Sequence, residues 1–305
     1  MVAAAVWVIP LLSMEIVSCI VFAFLILKAW RRKHGGKIEA PDHFDVGATV
    51  WCKGLALTHA ADRRQQVILF AWRLIVLLWM VSVEVQVLCF LPWRASVLFY
   101  TNWNYLWQIC YFGFACTGSA TLLCGRQLSP RLRLVTKVFF EVSVPMSIFV
   151  SIVLWGVLMP ASVKAGHPEA VFNFFSYNQH LANTACLLIE FCASRLQIHW
   201  RHLVVVYLWA GTYCVFAWVQ HPFTNFWPYF FLKLSPVAPL WYTVMMALHV
   251  LMFALAVGLS RIKSRCANLS TPAAHAEGVS EAGSQHQASL NIPIVVDEVS
   301  KDGRS

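Results

Sequence analysis

The chain contains few charged residues, because Asp, Glu, Lys and Arg make up only 12% of its 305 residues. An ordinary soluble domain has roughly 25%. The ten cysteines include no Cys-X-X-Cys pair and no Cys/His cluster with the spacing of zinc ligands. They therefore imply neither a disulfide framework nor a metal site, and we predict no cofactor. There is also no internal repeat. Together these absences argue against a soluble globular protein and a disulfide-stapled secreted scaffold.

Long apolar runs occupy most of the chain instead. Hydrophobic residues make up 59% of it, and tryptophan occurs 14 times. The mean hydropathy is +0.63. Runs of about 20 apolar residues are typical of membrane-spanning helices, so we predict an all-α, polytopic transmembrane helical bundle. The seven predicted spans cover approximately residues 3–27, 67–92, 96–124, 138–162, 171–193, 203–220 and 238–259.

These spans divide the chain into four parts. We predict that residues 1–30 form an N-terminal transmembrane helix and that residues 31–66 form a basic cytoplasmic segment. Residues 67–260 contain the other six spans and form the membrane domain. Residues 261–305 are rich in Ser, Ala, Gly and Glu and lack apolar periodicity over most of their length, so we predict a disordered cytoplasmic tail.

The positive charges predict how the bundle is oriented. Nineteen of the 23 Lys and Arg residues lie in segment 28–66, in loops 126–137 and 195–201, or in the tail. The opposite loops hold only Arg94, Lys164 and Lys233. Because Lys and Arg accumulate on the cytoplasmic side, we expect the N-terminus outside or in the lumen and the C-terminus in the cytoplasm. The basic residues lie between apolar spans, where they set topology, so the net charge of +9 does not indicate nucleic acid. The predicted partner is the lipid bilayer that the apolar spans cross.

Two predicted spans carry polar residues at helical spacing, although hydrocarbon penalises such groups. The third span places four of them on one face: Thr101, Asn104, Tyr105 and Gln108. The fifth span does the same with Tyr177, His180, Asn183 and Thr184. Counted from the predicted ends of the spans, Thr101 lies roughly 8–10 Å deep and His180 about 14 Å deep, so both belong to the outer half of the bundle.

A threonine hydroxyl beside an imidazole indicates nucleophilic catalysis. The hydroxyl is a poor nucleophile at neutral pH unless a base accepts its proton during attack, and His180 is the candidate base for Thr101. A third group commonly orients the imidazole. The supporting candidates are Asn104, Tyr177, Asn178 and Asn183. Amide side chains of Asn or Gln can also donate to an oxyanion.

A purely structural interpretation of the same residues stands beside this one. Threonine in a membrane helix commonly bonds back to a carbonyl of its own helix, and Asn, Gln and His commonly join helices. By the same argument, His249 is a helix-packing residue. Arg73 and Glu84 share a helix face three turns apart, so we expect each to have a partner elsewhere.

Three sequence blocks resemble a known family. They are FYTNWNYL at 99–106, His180 followed ten residues later by Glu190 in LLIEF, and WVQH at 218–221 followed by FWPYFFL at 226–232. In order and spacing they resemble the androgen-induced-gene family of membrane hydrolases and its relatives, the rolling stone proteins. The resemblance covers about residues 67–260, which hold six of the seven spans, and the TNW triplet is closest to the rolling stone branch.

The resemblance implies an activity and two catalytic residues. In the hydrolase branch a threonine and a histidine from two helices hydrolyse fatty acid esters of hydroxy fatty acids, and these residues correspond to Thr101 and His180. Two positions depart from the hydrolase pattern. Tyr177 and Gln220 stand where that branch has histidines. Rolling stone proteins are linked to cell fusion in muscle development.

Three functions follow as hypotheses. The first is an intramembrane threonine hydrolase acting on a lipid-like ester. The second is a non-enzymatic, rolling stone-like multipass protein in cell fusion, adhesion or signalling. A G-protein-coupled receptor is disfavoured because the third span lacks D/E-R-Y and the seventh lacks NPxxY. The third is a transporter that uses Arg73, Glu84 and Glu190, which no internal duplication supports.

Overall fold

The fold was analysed in a computed structural model, which describes residues 63–92, 97–194 and 196–268, with side chains as far as 265. Within these residues all regular structure is helical. The predicted first span, most of the basic segment 31–66 and nearly all of the tail lie outside the described residues. The chain divides into two compact units, Met1–Ser264 and Arg265–Ser305, and the helices below belong to the first unit except for the last residues of the final helix.

The first half of the described chain forms three long helices. Their bounds are α1 Arg63–Phe90, α2 Tyr100–Leu123 and α3 Pro130–Val153. Helix α3 continues through a π-helical turn, Leu154–Leu158, into α4, Met159–Lys164. Ser129 caps α3, since its Oγ accepts a hydrogen bond from the N–H of Leu132 at 3.2 Å, and Pro130 occupies the first helical position.

The second half is more interrupted. A 3₁₀ turn, Pro168–Ala170, precedes the short α5, Phe174–Ser176, and the π-helical segment Tyr177–Ala182, which leads into α6, Asn183–Ala193. After a 3₁₀ turn, Trp200–His202, comes α7, Leu203–Thr224. It ends at Asn225, whose φ of 51° is the left-handed conformation common at helix ends. A further 3₁₀ turn, Phe230–Leu232, precedes α8, Ala238–Asn268.

The helices pack as a bundle around a largely aromatic core. Helix α1 packs against α2, α2 against α3, and α3 against both α6 and α7. The π-helical segment contacts α2 and α3. Helix α8 joins the bundle through His249, whose ring stacks 3.7 Å from that of Phe149 on α3. These contacts enclose the polar faces of α2 and of the segment 177–193.

Four helical stretches are long and apolar enough to cross a membrane, which supports an integral membrane protein. They match the predicted second, fourth, sixth and seventh spans: Arg63–Phe90, Pro130–Lys164, Trp200–Thr224 and Ala238–Arg265. The predicted third and fifth spans are helical but are not among these four. Their polar faces lower their hydropathy, and the fifth consists of short α and π pieces.

The side-chain distribution is inverted relative to a soluble protein. Large apolar side chains of α1 face outward, with Ile75 64% and Leu78 60% exposed. Charged side chains lie inside, since Arg73, Glu141 and Glu190 are fully buried. An apolar outer surface, with charged side chains kept in the interior, suits a bilayer, where lipid replaces water as the solvent.

Candidate functional site

A cavity opens among α2, α3, α7, α8 and the turn before α8. It contains about 630 Å³ of space not occupied by atoms, including its open end. Thr101, at the start of α2, and His180, in the π-helical segment, both line it. Most of the other lining side chains are apolar or aromatic. Two of the predicted site residues therefore line the same cavity, although no direct hydrogen bond joins them among the described contacts.

Thr101 is held at the beginning of its helix. Helix α2 starts at Tyr100, so Thr101 lies in its first turn. The first backbone N–H groups of a helix have no carbonyl partner within it. The Thr101 N–H donates instead to the hydroxyl of Tyr229 at 3.4 Å, and Thr101 Oγ1 lies 3.4 Å from the same oxygen. Thr117, by contrast, donates its hydroxyl back to the carbonyl of Gly113.

Tyr229 is a site residue that the sequence analysis missed. It precedes the 3₁₀ turn Phe230–Leu232, lines the cavity, and is fixed by ring contacts with Phe99 at 5.6 Å and Phe231 at 5.1 Å. Burial raises the pKa of Tyr229, and its hydrogen bonds with Thr101 oppose that rise. The phenol therefore stays protonated at neutral pH. The signal was present in the block FWPYFFL, where the tyrosine is the single hydroxyl donor.

His180 lies in the irregular part of its helix. Its ring Nδ1 is 3.1 Å from the backbone carbonyl oxygen of Val150, which can only accept a hydrogen bond. Nδ1 must therefore carry the proton, which leaves Nε2 with a lone pair. The ring is 5% exposed and lines the cavity. The imidazole has the tautomer that a general base requires, and a main-chain group orients it.

The backbone around His180 is also tied in place. In a π turn the usual i→i+4 bonding is lost, and such turns are frequent at functional sites. The His180 carbonyl oxygen is 2.6 Å from Ser151 Oγ and 2.7 Å from Thr184 Oγ1. Thr184 Oγ1 also lies 2.9 Å from the Ser147 carbonyl oxygen. Hydroxyl groups of α3 and α6 thus hold the π-helical segment against α3.

Two of the three supporting asparagines, Asn104 and Asn178, join helices, and none of the three makes a hydrogen bond with Thr101 or His180 in the described structure. Asn104 bonds to the Tyr100 carbonyl and accepts from Trp209 of α7. Asn178 accepts from Trp79 of α1 at 3.1 Å. Asn183 donates to the carbonyl of Gln179. None of them orients the imidazole, because the Val150 carbonyl already does so.

Tyr177 leaves the predicted polar face. Its side chain is 42% exposed and packs beside Trp155, with ring centroids 5.8 Å apart. The sequence placed it with His180 by assuming 3.6 residues per turn. A π turn takes more residues, so positions three apart no longer align. Asn183 and His180 remain buried, at 3% and 5% exposure.

A second imidazole borders the same cavity. His249 Nδ1 lies 2.7 Å from the Met245 carbonyl oxygen, and Nε2 lies 3.3 Å from the hydroxyl of Tyr100. Nδ1 therefore donates, and Nε2 accepts from Tyr100. This residue packs helices as the sequence suggested, through Phe149, and it also forms part of the cavity wall.

Two of the buried charges, Arg73 and Glu190, form a network away from the cavity. Arg73 Nε and Nη2 bind Glu190 Oε1 at 2.9 and 2.6 Å, and Tyr111 donates to the same oxygen at 2.9 Å. Arg73 Nη1 also bonds to Ser119 at 2.6 Å. Arg73 thus has the separate partner that we expected. A transporter that uses Arg73, Glu84 and Glu190 is disfavoured, because Arg73 and Glu190 neutralise each other.

The described residues contain no group of three or more His, Cys, Asp or Glu side chains arranged to hold a metal ion. No family model matches the chain, and neither a curated protein nor a solved structure matches it.

Proposed function

We propose that this protein is an intramembrane hydrolase of lipid esters, with Thr101 as nucleophile and His180 as general base. The observation that carries the proposal is that both residues line one largely apolar cavity. An acyl chain suits such a lining, and only a few polar groups are needed to hold the ester. The resemblance of the surrounding sequence blocks to the androgen-induced-gene hydrolases implies fatty acid esters of hydroxy fatty acids, or similar esters, as the substrate class.

In the proposed reaction, the Thr101 hydroxyl oxygen attacks the ester carbonyl carbon while His180 Nε2 takes the hydroxyl proton, directly or through one water. The carbonyl electrons move onto oxygen. When this oxyanion collapses, the alcohol oxygen leaves with the proton held by His180. Water then attacks the acyl-threonine carbonyl carbon, and one water proton passes to His180. When this second intermediate collapses, the carbonyl carbon–Oγ1 bond breaks, the carboxylic acid leaves, and His180 returns its proton to Thr101 Oγ1. The Val150 carbonyl stabilises the transient imidazolium through Nδ1.

Tyr229 is proposed as the donor that stabilises the oxyanion. Its oxygen already accepts from the Thr101 N–H, which leaves its own hydroxyl proton available near the nucleophile. A preorganised donor in a water-poor site stabilises developing charge strongly. This role falls to a phenol in place of the Asn and Gln amides considered from sequence.

The proposal includes an orientation. The alternating distribution of Lys and Arg favours seven spans, with the N-terminus outside and the C-terminus in the cytoplasm. Four apolar helical stretches support the membrane location. Under this arrangement the cavity belongs to the outer half of the bundle, because Thr101 begins a helix that enters from the outer side.

The deciding experiment is active-site labelling of the purified protein with a fluorophosphonate, paired with hydrolysis of a fatty acid ester of a hydroxy fatty acid. We expect Thr101→Ala to abolish labelling and His180→Ala to reduce it strongly. Thr212→Ala is the matched control, because Thr212 is exposed and its hydroxyl bonds to its own helix at Leu208. Equal labelling of wild type and Thr101→Ala would refute the enzyme and leave the non-enzymatic rolling stone-like function.

A further inference from the structure

Three helices bring unpaired polar atoms into the interior of the bundle, outside the proposed active site. They are Glu84 Oε2 on α1, Tyr105 Oη and both amide atoms of Gln108 on α2, and Asn183 Oδ1 on α6. These four side chains are at most 5% exposed, and these atoms have no hydrogen-bond partner among the described residues. Leaving a polar group buried and unpaired costs about 1–3 kcal/mol, so five such atoms call for a common explanation.

The register of α1 and α2 places Glu84 at the level of Gln108 on the facing helix. Arg73 on α1 bonds to Ser119 on α2 at 2.6 Å, and the two helices pack closely. Glu84 follows Arg73 by eleven residues, and Gln108 precedes Ser119 by eleven. Eleven residues are about three turns, or roughly 16 Å, and return to the same helix face. Because α1 and α2 are antiparallel, the step from Arg73 to Glu84 and the step from Ser119 to Gln108 run in the same direction along the bundle. Tyr105 lies one turn from Gln108 and is within electrostatic range of Glu84.

The register of α2 and the segment leading into α6 adds Asn183. Asn102 accepts from Gln179 at 2.8 Å, and Tyr111 bonds to Glu190 at 2.9 Å, so these two stretches run parallel. The sequence offset between partners is nearly the same at both contacts. For the residues that lie between these two contacts, the same offset places Asn183 at the level of Tyr105. By this register the unpaired atoms of all three helices lie at a similar depth.

We propose that these four side chains bind a dehydrated alkali cation. A carboxylate, two amide carbonyls and a phenol supply four oxygen ligands, the type that hard cations prefer. Glu84 has no basic partner among the described side chains, and Arg73 is already neutralised by Glu190. One carboxylate balances one positive charge, so a monovalent ion gives a neutral site where a divalent ion leaves excess charge in the bundle. Of these residues none lines the cavity of Thr101 and His180.

The test is the thermal unfolding of the purified full-length protein in detergent, at constant ionic strength, in NaCl, KCl and choline chloride. A ligand that binds only the folded state raises the midpoint as its concentration exceeds its dissociation constant. We expect sodium or potassium to raise the midpoint by about 2–4 °C over choline, with saturation. The salt that acts at the lower concentration identifies the preferred ion.

Glu84→Gln should remove this response and unfold in choline at or above the wild-type midpoint, because it eliminates an uncompensated buried charge. Gln108→Leu should shift the response to higher cation concentration, because it removes one ligand. Glu169→Gln is the control, since Glu169 is an exposed acid and its loss leaves the response intact. Identical midpoints in the three salts, or an unchanged response in Glu84→Gln, overturn the proposal and indicate a protonated Glu84. Neither result depends on whether the protein is a hydrolase.

Discussion

At the residue scale, Thr101 is distinguished by what its hydroxyl does not bind. Thr117, Thr121 and Thr212 all donate to carbonyls of their own helices, the usual arrangement of a helical threonine. Thr101 sits in a first turn, and its described partner is the phenol of Tyr229. Its hydroxyl is therefore available to a group in the cavity.

The role proposed for Tyr229 gives a kinetic prediction. Tyr229→Phe removes the donor while keeping the ring that contacts Phe99 and Phe231. We expect kcat for ester hydrolysis to fall about a hundredfold, as for loss of one oxyanion donor, with little change in KM. Tyr177→Phe, which alters an exposed phenol outside the cavity, should leave both constants unchanged. A fall in both variants alike would contradict the assignment.

At the scale of elements, α6 depends on a side chain from α8. The last carbonyls of a helix have no N–H partner within it. Lys263 Nζ donates to the carbonyls of Phe191, Ser194 and Leu196 at 2.7, 3.0 and 2.7 Å. It also lies 4.2 Å from the centre of the Phe191 ring. The Lys263 ammonium therefore caps the C-terminal end of α6, the helix that carries Glu190.

Lys263→Met should therefore destabilise the fold, because it keeps the aliphatic stem but leaves three carbonyls without their donor. We expect a loss of about 1.5–3 kcal/mol, the range for hydrogen bonds to a charged group. Thermal unfolding in detergent and the rate of proteolytic cleavage within residues 194–199 measure it. Lys233→Met provides the comparison, since Lys233 is exposed. A midpoint equal to that of Lys233→Met would show that the three bonds contribute nothing.

At the scale of the whole molecule, one ionic network joins α1, α2 and α6. Arg73→Met leaves the Glu190 carboxylate buried without its cation. Breaking a buried pair in this way costs about 3–5 kcal/mol. Adding Glu190→Gln should recover much of the loss, because the remaining side chain is neutral and still accepts from Tyr111. The unfolding midpoints of wild type, Arg73→Met, Glu190→Gln and the double variant form a double-mutant cycle. If the destabilisations of the two single variants simply add in the double variant, the two residues are not coupled.

The proposed orientation has its own test. The sequence Asn268-Leu269-Ser270 is an N-glycosylation acceptor in the region that we assign to the cytoplasm. We expect no glycan there, so endoglycosidase treatment should not change the mobility of the expressed protein. A second acceptor sequence appended before Met1 should be glycosylated, because that end is proposed to face the lumen or exterior. A glycan at Asn268 would show that this region faces the lumen or exterior, which is opposite to the proposed orientation.

Long apolar runs were enough to predict the helical bundle. Polar residues at helical spacing then singled out Thr101 and His180, which the structure brings to one cavity. The role of the pair stays a prediction. Tyr229 was missed because it lies in a loop, where helical periodicity gives no information. Tyr177 was misplaced because a π turn changes which residues align, and apolar sequence does not reveal such turns. The partner of Arg73 required knowing which helices are neighbours.

The contact between His180 and the Val150 carbonyl has a consequence for genetics. Every amino acid supplies the same main-chain oxygen, so no ordinary codon change at position 150 deletes the group that holds the imidazole. We expect a saturation mutagenesis screen for lost activity to identify Thr101, His180 and Tyr229, but not the Val150 carbonyl that orients the imidazole. Replacing the amide by an ester linkage through chemical synthesis would weaken that acceptor and reveal it.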